Sequence, residues 1–135
     1  MKKTFLFCLM SLVLIGCKST GTVNAHSLKY SSWQLQIPAV AEPHSAITIE
    51  FLDAFRVNGY TGCNRFFGQG EIKDGQLYVS NIGMTRKLCE PEVNAREQAF
   101  LNMLRIGAPI EFAVNELVLR GDASWHFEPV ERRFD

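Results

Sequence analysis

The sequence predicts a mostly β domain of the α+β kind: a curved antiparallel sheet or partly open barrel of about 7–8 strands, with one packed α-helix over about residues 91–106. Three observations predict it. Apolar and polar residues alternate with a period of two in short segments between Trp33 and Phe127. Turn-forming pairs, Asp74-Gly75 above all, divide those segments. The period changes to that of a helix once, between residues 91 and 106.

The chain opens with Lys2 and Lys3 and then runs apolar from Phe5 to Ile15, too short a stretch to span a bilayer and of the kind that forms a secretory signal. Leu14-Ile15-Gly16-Cys17 matches the lipobox of bacterial lipoproteins. Residues 1–16 are therefore expected to be a signal peptide and Cys17 the lipid-bearing N-terminus, with the membrane as a partner through the lipid. Each buried methylene of such a lipid contributes about 0.8 kcal/mol, so several acyl chains make a durable anchor. Lys18 stands where inner-membrane lipoproteins often carry Asp, which points to the outer membrane, lipid-anchored and facing the periplasm. Residues 17–29 read as the lipidated N-terminus and a flexible tether, residues 30–130 as the domain, and residues 131–135 as a tail.

Within the domain, Trp33-Gln34-Leu35-Gln36-Ile37 alternates, and after the loop with Pro38 and Pro43 the alternation resumes with Ile47, Ile49 and Phe51 inward. Asp53-Ala54 then suggests a hairpin into Phe55-Arg56-Val57-Asn58, and Asp74-Gly75 another between Ile72 and Leu77-Tyr78-Val79. Pro91 suits a first helical position and Glu92 the positive end of the helix dipole. Val93, Phe100, Leu101 and Leu104 form the apolar stripe, opposite Asn94, Gln98 and Arg105, and Gly107 and Pro109 mark the stop. Alternation returns in Ile110–Val114, Leu117–Leu119 and Ser124–Phe127, divided by Asn115-Glu116 and Gly121-Asp122.

Removing residues 1–16 from 135 leaves 119 residues, enough for one domain and one core. The 14 basic and 14 acidic residues become 12 against 14 once Lys2 and Lys3 are gone, a balance that favours no nucleic-acid partner. With Cys8 lost with the signal and Cys17 lipidated, Cys63 and Cys89 are left in an oxidising compartment, where a disulfide is the economical reading. Closing a loop of about 27 residues would stabilise by roughly 3 to 4 kcal/mol if the two β-carbons meet.

Gly62-Cys63-Asn64-Arg65-Phe66-Phe67-Gly68, followed by Met84-Thr85-Arg86-Lys87-Leu88-Cys89 and then the helix, resembles the META domain of the HslJ-like, heat-inducible lipoprotein family. The resemblance extends to Trp33-Gln34-Leu35 and to Leu117 through Phe127, covering roughly residues 30–128. It departs in the Pro38–Ser45 loop and at Lys87-Leu88, where the family commonly has Met-Ala. The resemblance implies a compact β domain of the bacterial envelope linked to stress survival. It supplies no reaction, so the candidate sites rest on their own chemistry.

Asn64, Arg65, Thr85 and Arg86 flank the two cysteines and form a candidate binding cluster, able to offer two guanidiniums to an anion. The structural alternative, which the residue tendencies favour, has Asn64 in a left-handed turn, Thr85 bonded to local backbone, and the arginines paired with Glu90, Glu92 or Glu97. Phe66 and Phe67 could line a groove, although core is the commoner fate of such rings. A thiol enzyme would need Cys63 as nucleophile with His44 or His126 as base, and no local signature supports it. His26, His44 and His126 are dispersed and make no metal site, and Gly68-Gln69-Gly70 is no nucleotide loop. No catalytic residue and no cofactor are therefore expected. The sequence reads as a non-catalytic envelope lipoprotein, a monomer that binds an envelope protein or small ligand or protects against heat, envelope or drug stress. The alternative is an envelope hydrolase or thiol-redox enzyme using Cys63.

Overall fold

The computed structural model describes residues 25–36 and 46–131. The lipobox with Cys17, and His44 with most of its proline-bearing loop, lie outside the described residues.

The strands are β1 (Ser32–Leu35), β2 (Thr48–Phe51), β3 (Arg56–Tyr60), β4 (Arg65–Lys73), β5 (Gln76–Met84), β6 (Ala108–Ala113), β7 (Glu116–Arg120) and β8 (Ser124–Pro129). Each pairs antiparallel with its neighbours in the chain, and β8 returns to pair with β1, so the sheet closes into a barrel. Closure leaves the inward residues of every strand in one interior, the arrangement that side chains alone can fill at eight strands. The alternation read from the sequence is the inward set: Trp33, Ile49, Phe51, Val57, Phe66, Leu77, Val79, Ile110, Leu117, Leu119 and Phe127 are all buried.

A short helix, α1 (Ala25–Leu28), precedes β1 and seats Leu28 in the core with no exposed surface. The end of the segment expected as a tether is thus part of the fold. Its apolar anchor is a single leucine, too little for a periodic signal.

The long helix, α2 (Pro91–Ile106), has the expected bounds, with Pro91 in its first turn. It ends where Gly107 takes φ 102° and donates its N–H to the Met103 carbonyl. A β-carbon at Gly107 would also come within 2.4 Å of the Tyr78 ring. Phe100 meets Phe66 on β4 at 5.7 Å between ring centroids, and Trp125 and Phe127 on β8 at 5.5 and 6.2 Å. β4 and β8 stand on opposite sides of an eight-strand ring, so a helix that touches both lies across one mouth of the barrel.

Three local departures shape the wall. The β4–β5 hairpin turns at Asp74-Gly75 with both residues at positive φ, 52° and 72°, as a two-residue turn of that composition requires. Further along the same pair the register shifts between Phe67 and Gln69, where Asn81 sits at φ 52°, a bulge that bends the wall. The β5–β6 seam has only two register pairs, Gln76 with Pro109 and Leu77 with Ala108, and Pro109 has no N–H to give. The turn expected at Asn115-Glu116 falls one residue earlier, since Glu116 already pairs with Ala113.

Candidate functional site

The loop between β3 and β4, Thr61 to Asn64, folds back on itself. Gly62 supplies a φ of 90°, Thr61 N–H donates to the Asn64 carbonyl at 2.8 Å, and the Thr61 hydroxyl oxygen accepts from Asn64 N–H at 2.9 Å. This local closure turns the Asn64 side chain inward, where it is 2% exposed.

Every polar group of that side chain is used. Its amide nitrogen donates to Glu97 Oε2 at 3.0 Å, to Glu97 Oε1 at 3.2 Å and to the Lys87 carbonyl at 3.0 Å. Its oxygen accepts from the Thr85 hydroxyl at 2.9 Å and from Lys87 N–H at 2.6 Å. Glu97, on α2, is 3% exposed and also accepts from the Thr61 hydroxyl. Buried carboxylates need such donors, because an unpartnered one would cost several kcal/mol. One asparagine therefore ties the β3–β4 loop, the strand-to-helix segment 85–90 and the helix itself to each other.

The disulfide makes the same connection covalently. Cys63 and Cys89 are bonded, with their Cα atoms 6.0 Å apart. Asn94, in the first turn of α2, donates its amide to the Cys89 carbonyl at 2.8 Å and accepts from Cys89 N–H at 3.3 Å, capping the segment onto the helix.

The structure brings Asn64, Arg65, Thr85 and Arg86 together but sorts them into two kinds. Asn64 is not in a left-handed turn; Gly62 holds that conformation, which frees the asparagine to point inward. Thr85 bonds beyond its local backbone, accepting from Arg65 N–H at 3.1 Å while donating to Asn64. The arginines do not pair with Glu90, Glu92 or Glu97. Glu97 is taken by Asn64 and Thr61, and among the described residues no carboxylate lies within ion-pair distance of either guanidinium. Both side chains are exposed, as are Lys87 and Leu88, the latter 87%. The Lys87-Leu88 departure from the family pattern is tolerated because Asn64 grips only the backbone at that point.

Phe66 and Phe67 divide as adjacent strand residues must: Phe66 is in the core and Phe67 is 60% exposed on the outer wall. His126 faces outward on β8, 2.8 Å from Glu116. Among the described residues no group of His, Cys, Asp and Glu is placed to hold a metal ion, and no helix is long and apolar enough to cross a membrane. Sequence reasoning missed Thr61 altogether and offered Glu97 only as an arginine partner, not as the partner of Asn64. Glu97 carries no signal in a single sequence, since a glutamate in mid-helix reads as a solvent-facing residue.

An eight-stranded meander barrel plugged by one helix, with a disulfide and a buried asparagine fastening plug to wall, defines a class of small helix-capped β barrels. Residues 26–132 match the META domain family, and the chain belongs to it. It is 30% identical over 125 residues to the Heat shock protein HslJ of Escherichia coli (strain K12), covering 88% of this chain and 89% of that one. Two solution structures share the fold. One has a TM-score of 0.65 at 24% identity, covering 78% of this chain and 94% of that one. The other, from Burkholderia xenovorans, has 0.64 at 25%, covering 80% and 87%. The family is thus related to heat shock.

Proposed function

We propose that the protein is a non-catalytic binding module of the bacterial envelope, acting in heat or envelope stress and held by lipid at Cys17 to the outer membrane, facing the periplasm. One observation carries the reading. The polar groups of the family motif are spent on holding the segment 85–89, and what that segment presents outward is Arg86, Lys87 and Leu88. A loop fixed by a disulfide and by hydrogen bonds to both the N–H and the C=O of one residue loses little entropy on meeting a partner. The thiol alternative is weaker, because Cys63 is buried and bonded to Cys89.

The test is a stress-survival assay on Arg86→Ala, Lys87→Ala and Leu88→Ser beside the parent. These exposed changes should leave stability and abundance unaltered. Survival should fall in at least one of them. Full survival in all three would remove the loop from the function. For the anchor, Cys17→Ser should abolish labelling by a clickable palmitate analogue, and the parent should sediment with outer-membrane markers; labelling of the variant, or co-sedimentation of the parent with inner-membrane markers, would refute that part.

A further inference from the structure

The outer wall of β1 to β4 carries a groove of about 440 Å³ that none of the contacts above uses. Register fixes what lines it. Glu50, Asn58 and Phe67 are cross-strand neighbours in one row, and Thr48, Tyr60 and Arg65 in the next. The far end of the Phe67 ring packs over its partner Gly83, where a β-carbon would come within 2.3 Å of the ring, so the ring is held against the wall. The ring is 60% exposed all the same.

Beside this platform stand polar groups that reach water at the groove surface. Among the described residues the Asn58 amide and the Tyr60 hydroxyl have no hydrogen-bond partner, though both residues are half-buried, and the Arg65 guanidinium has no carboxylate. Glu50 closes the far side and accepts from the Ser32 hydroxyl at 3.3 Å. Each feature narrows the ligand. A wholly apolar ligand would strip water from Asn58 and Tyr60 and give nothing back. A phosphate or polyanion would meet one cation and, on the same wall, a carboxylate. A ligand with one carboxylate for Arg65, hydroxyls for Asn58 and Tyr60, and a flat C–H face for the Phe67 ring satisfies these three and the ring together.

From this geometry we infer that the groove is a binding site for a saccharide bearing a single carboxylate. It rests on the binding-module reading and names a ligand class for it on a second surface, which meets the loop at Arg65.

Saturation-transfer NMR on the full chain in detergent micelles tests it, with N-acetylmuramic acid as the probe and N-acetylglucosamine as its uncharged counterpart. Saturation should reach the pyranose ring protons of the acid. A charge-assisted pair at Arg65 should make the acid bind roughly tenfold more tightly than the neutral sugar, the size typical of such a bond. Arg65→Gln, whose side chain holds nothing in the fold, should bring the two sugars level, and Phe67→Ala should weaken both. Absence of transfer to the acid, equal binding of the two sugars by the parent, or a preference that survives Arg65→Gln would overturn the proposal. So would unchanged binding in a Phe67→Ala protein that circular dichroism shows folded. The stress assay on the loop variants reads the module independently, so a failed titration with a loop phenotype intact refutes the saccharide site alone.

Discussion

Asn64→Ala should be among the most damaging polar-to-small substitutions in the domain. The change deletes the amide that donates to both oxygens of Glu97, leaving a carboxylate that is 3% exposed with the Thr61 hydroxyl as its remaining donor. Hydrogen bonds to a charged group are worth about 1.5 to 3 kcal/mol. The lost contacts to Lys87 N–H and C=O add about 1 kcal/mol, since water reaches that half-open segment. The expected cost is therefore about 2.5 to 4 kcal/mol, against the roughly 5 to 15 kcal/mol of a typical domain. Urea unfolding followed by the fluorescence of Trp33 and Trp125, with the disulfide intact, should show the midpoint falling by about 2 M for an ordinary m-value. Asn64→Asp keeps the shape and the acceptor while turning the donor into an acceptor aimed at Glu97, so it should cost at least as much at neutral pH. Glu97→Ala combined with Asn64→Ala should cost clearly less than the sum of the two. A single-mutant cost under about 1 kcal/mol, or additivity within about 0.5 kcal/mol, would refute the hub.

Replacing Cys63 and Cys89 together by Ala should lower stability by roughly 3 to 4 kcal/mol, as loop closure over a separation of 26 residues predicts; alkylation of either cysteine in unreduced mature protein would contradict the bond itself. Gly59→Ala should destabilise by about 3 kcal/mol, an overpacking cost at the high end, because the new β-carbon would lie 2.1 Å from the backbone carbonyl of Thr48; an unchanged melting temperature would show that the strands can part there. The hydrogen bond from Arg120, and then its charge, hold the Glu111 carboxyl below its ordinary value. A carboxyl with a depressed folded value adds stability above its unfolded pKa and loses it as pH falls through the folded one, so this pair acts at neutral pH and fades in acid. Arg120→Ala should raise the Glu111 value in a carbon-detected NMR titration while leaving the melting temperature at neutral pH nearly unchanged, because the pair is exposed; an unmoved titration would detach Glu111 from Arg120.

Where the periodicity was dense, the fold was legible. Ile47, Ile49 and Phe51 announced an inward face, Asp74-Gly75 its hairpin, and the switch of period at Pro91 the helix to its observed bounds. Features set by distant partners were not. Nothing in Trp33 or Pro129 says that they meet across β1 and β8, and Leu28 alone could not reveal that α1 docks. At the site, the family motif located the right loops, and residue tendencies then assigned Asn64 the wrong task. A left-handed asparagine is a local preference, and the neighbouring Gly62 met that need at lower cost, releasing Asn64 to serve Glu97 thirty-three positions away. The arginine partners failed for the same reason. Glutamates near in sequence were assumed available, and one of them was committed to the interior.

The pairing of the first strand with the last has a consequence for how the molecule is made. Contacts between strands at the two ends of a chain carry the largest loop-closure cost and form late. Until β8 arrives, β1 and β7 each present a bare row of peptide groups, the configuration that recruits strands from other molecules. A chain emerging N-terminus first is therefore most vulnerable to aggregation just before its final strand is delivered. Clipping within β8 would return a finished molecule to that state with two open edges, so the integrity of residues 124–129 sets whether the barrel persists as a single molecule or becomes a seed.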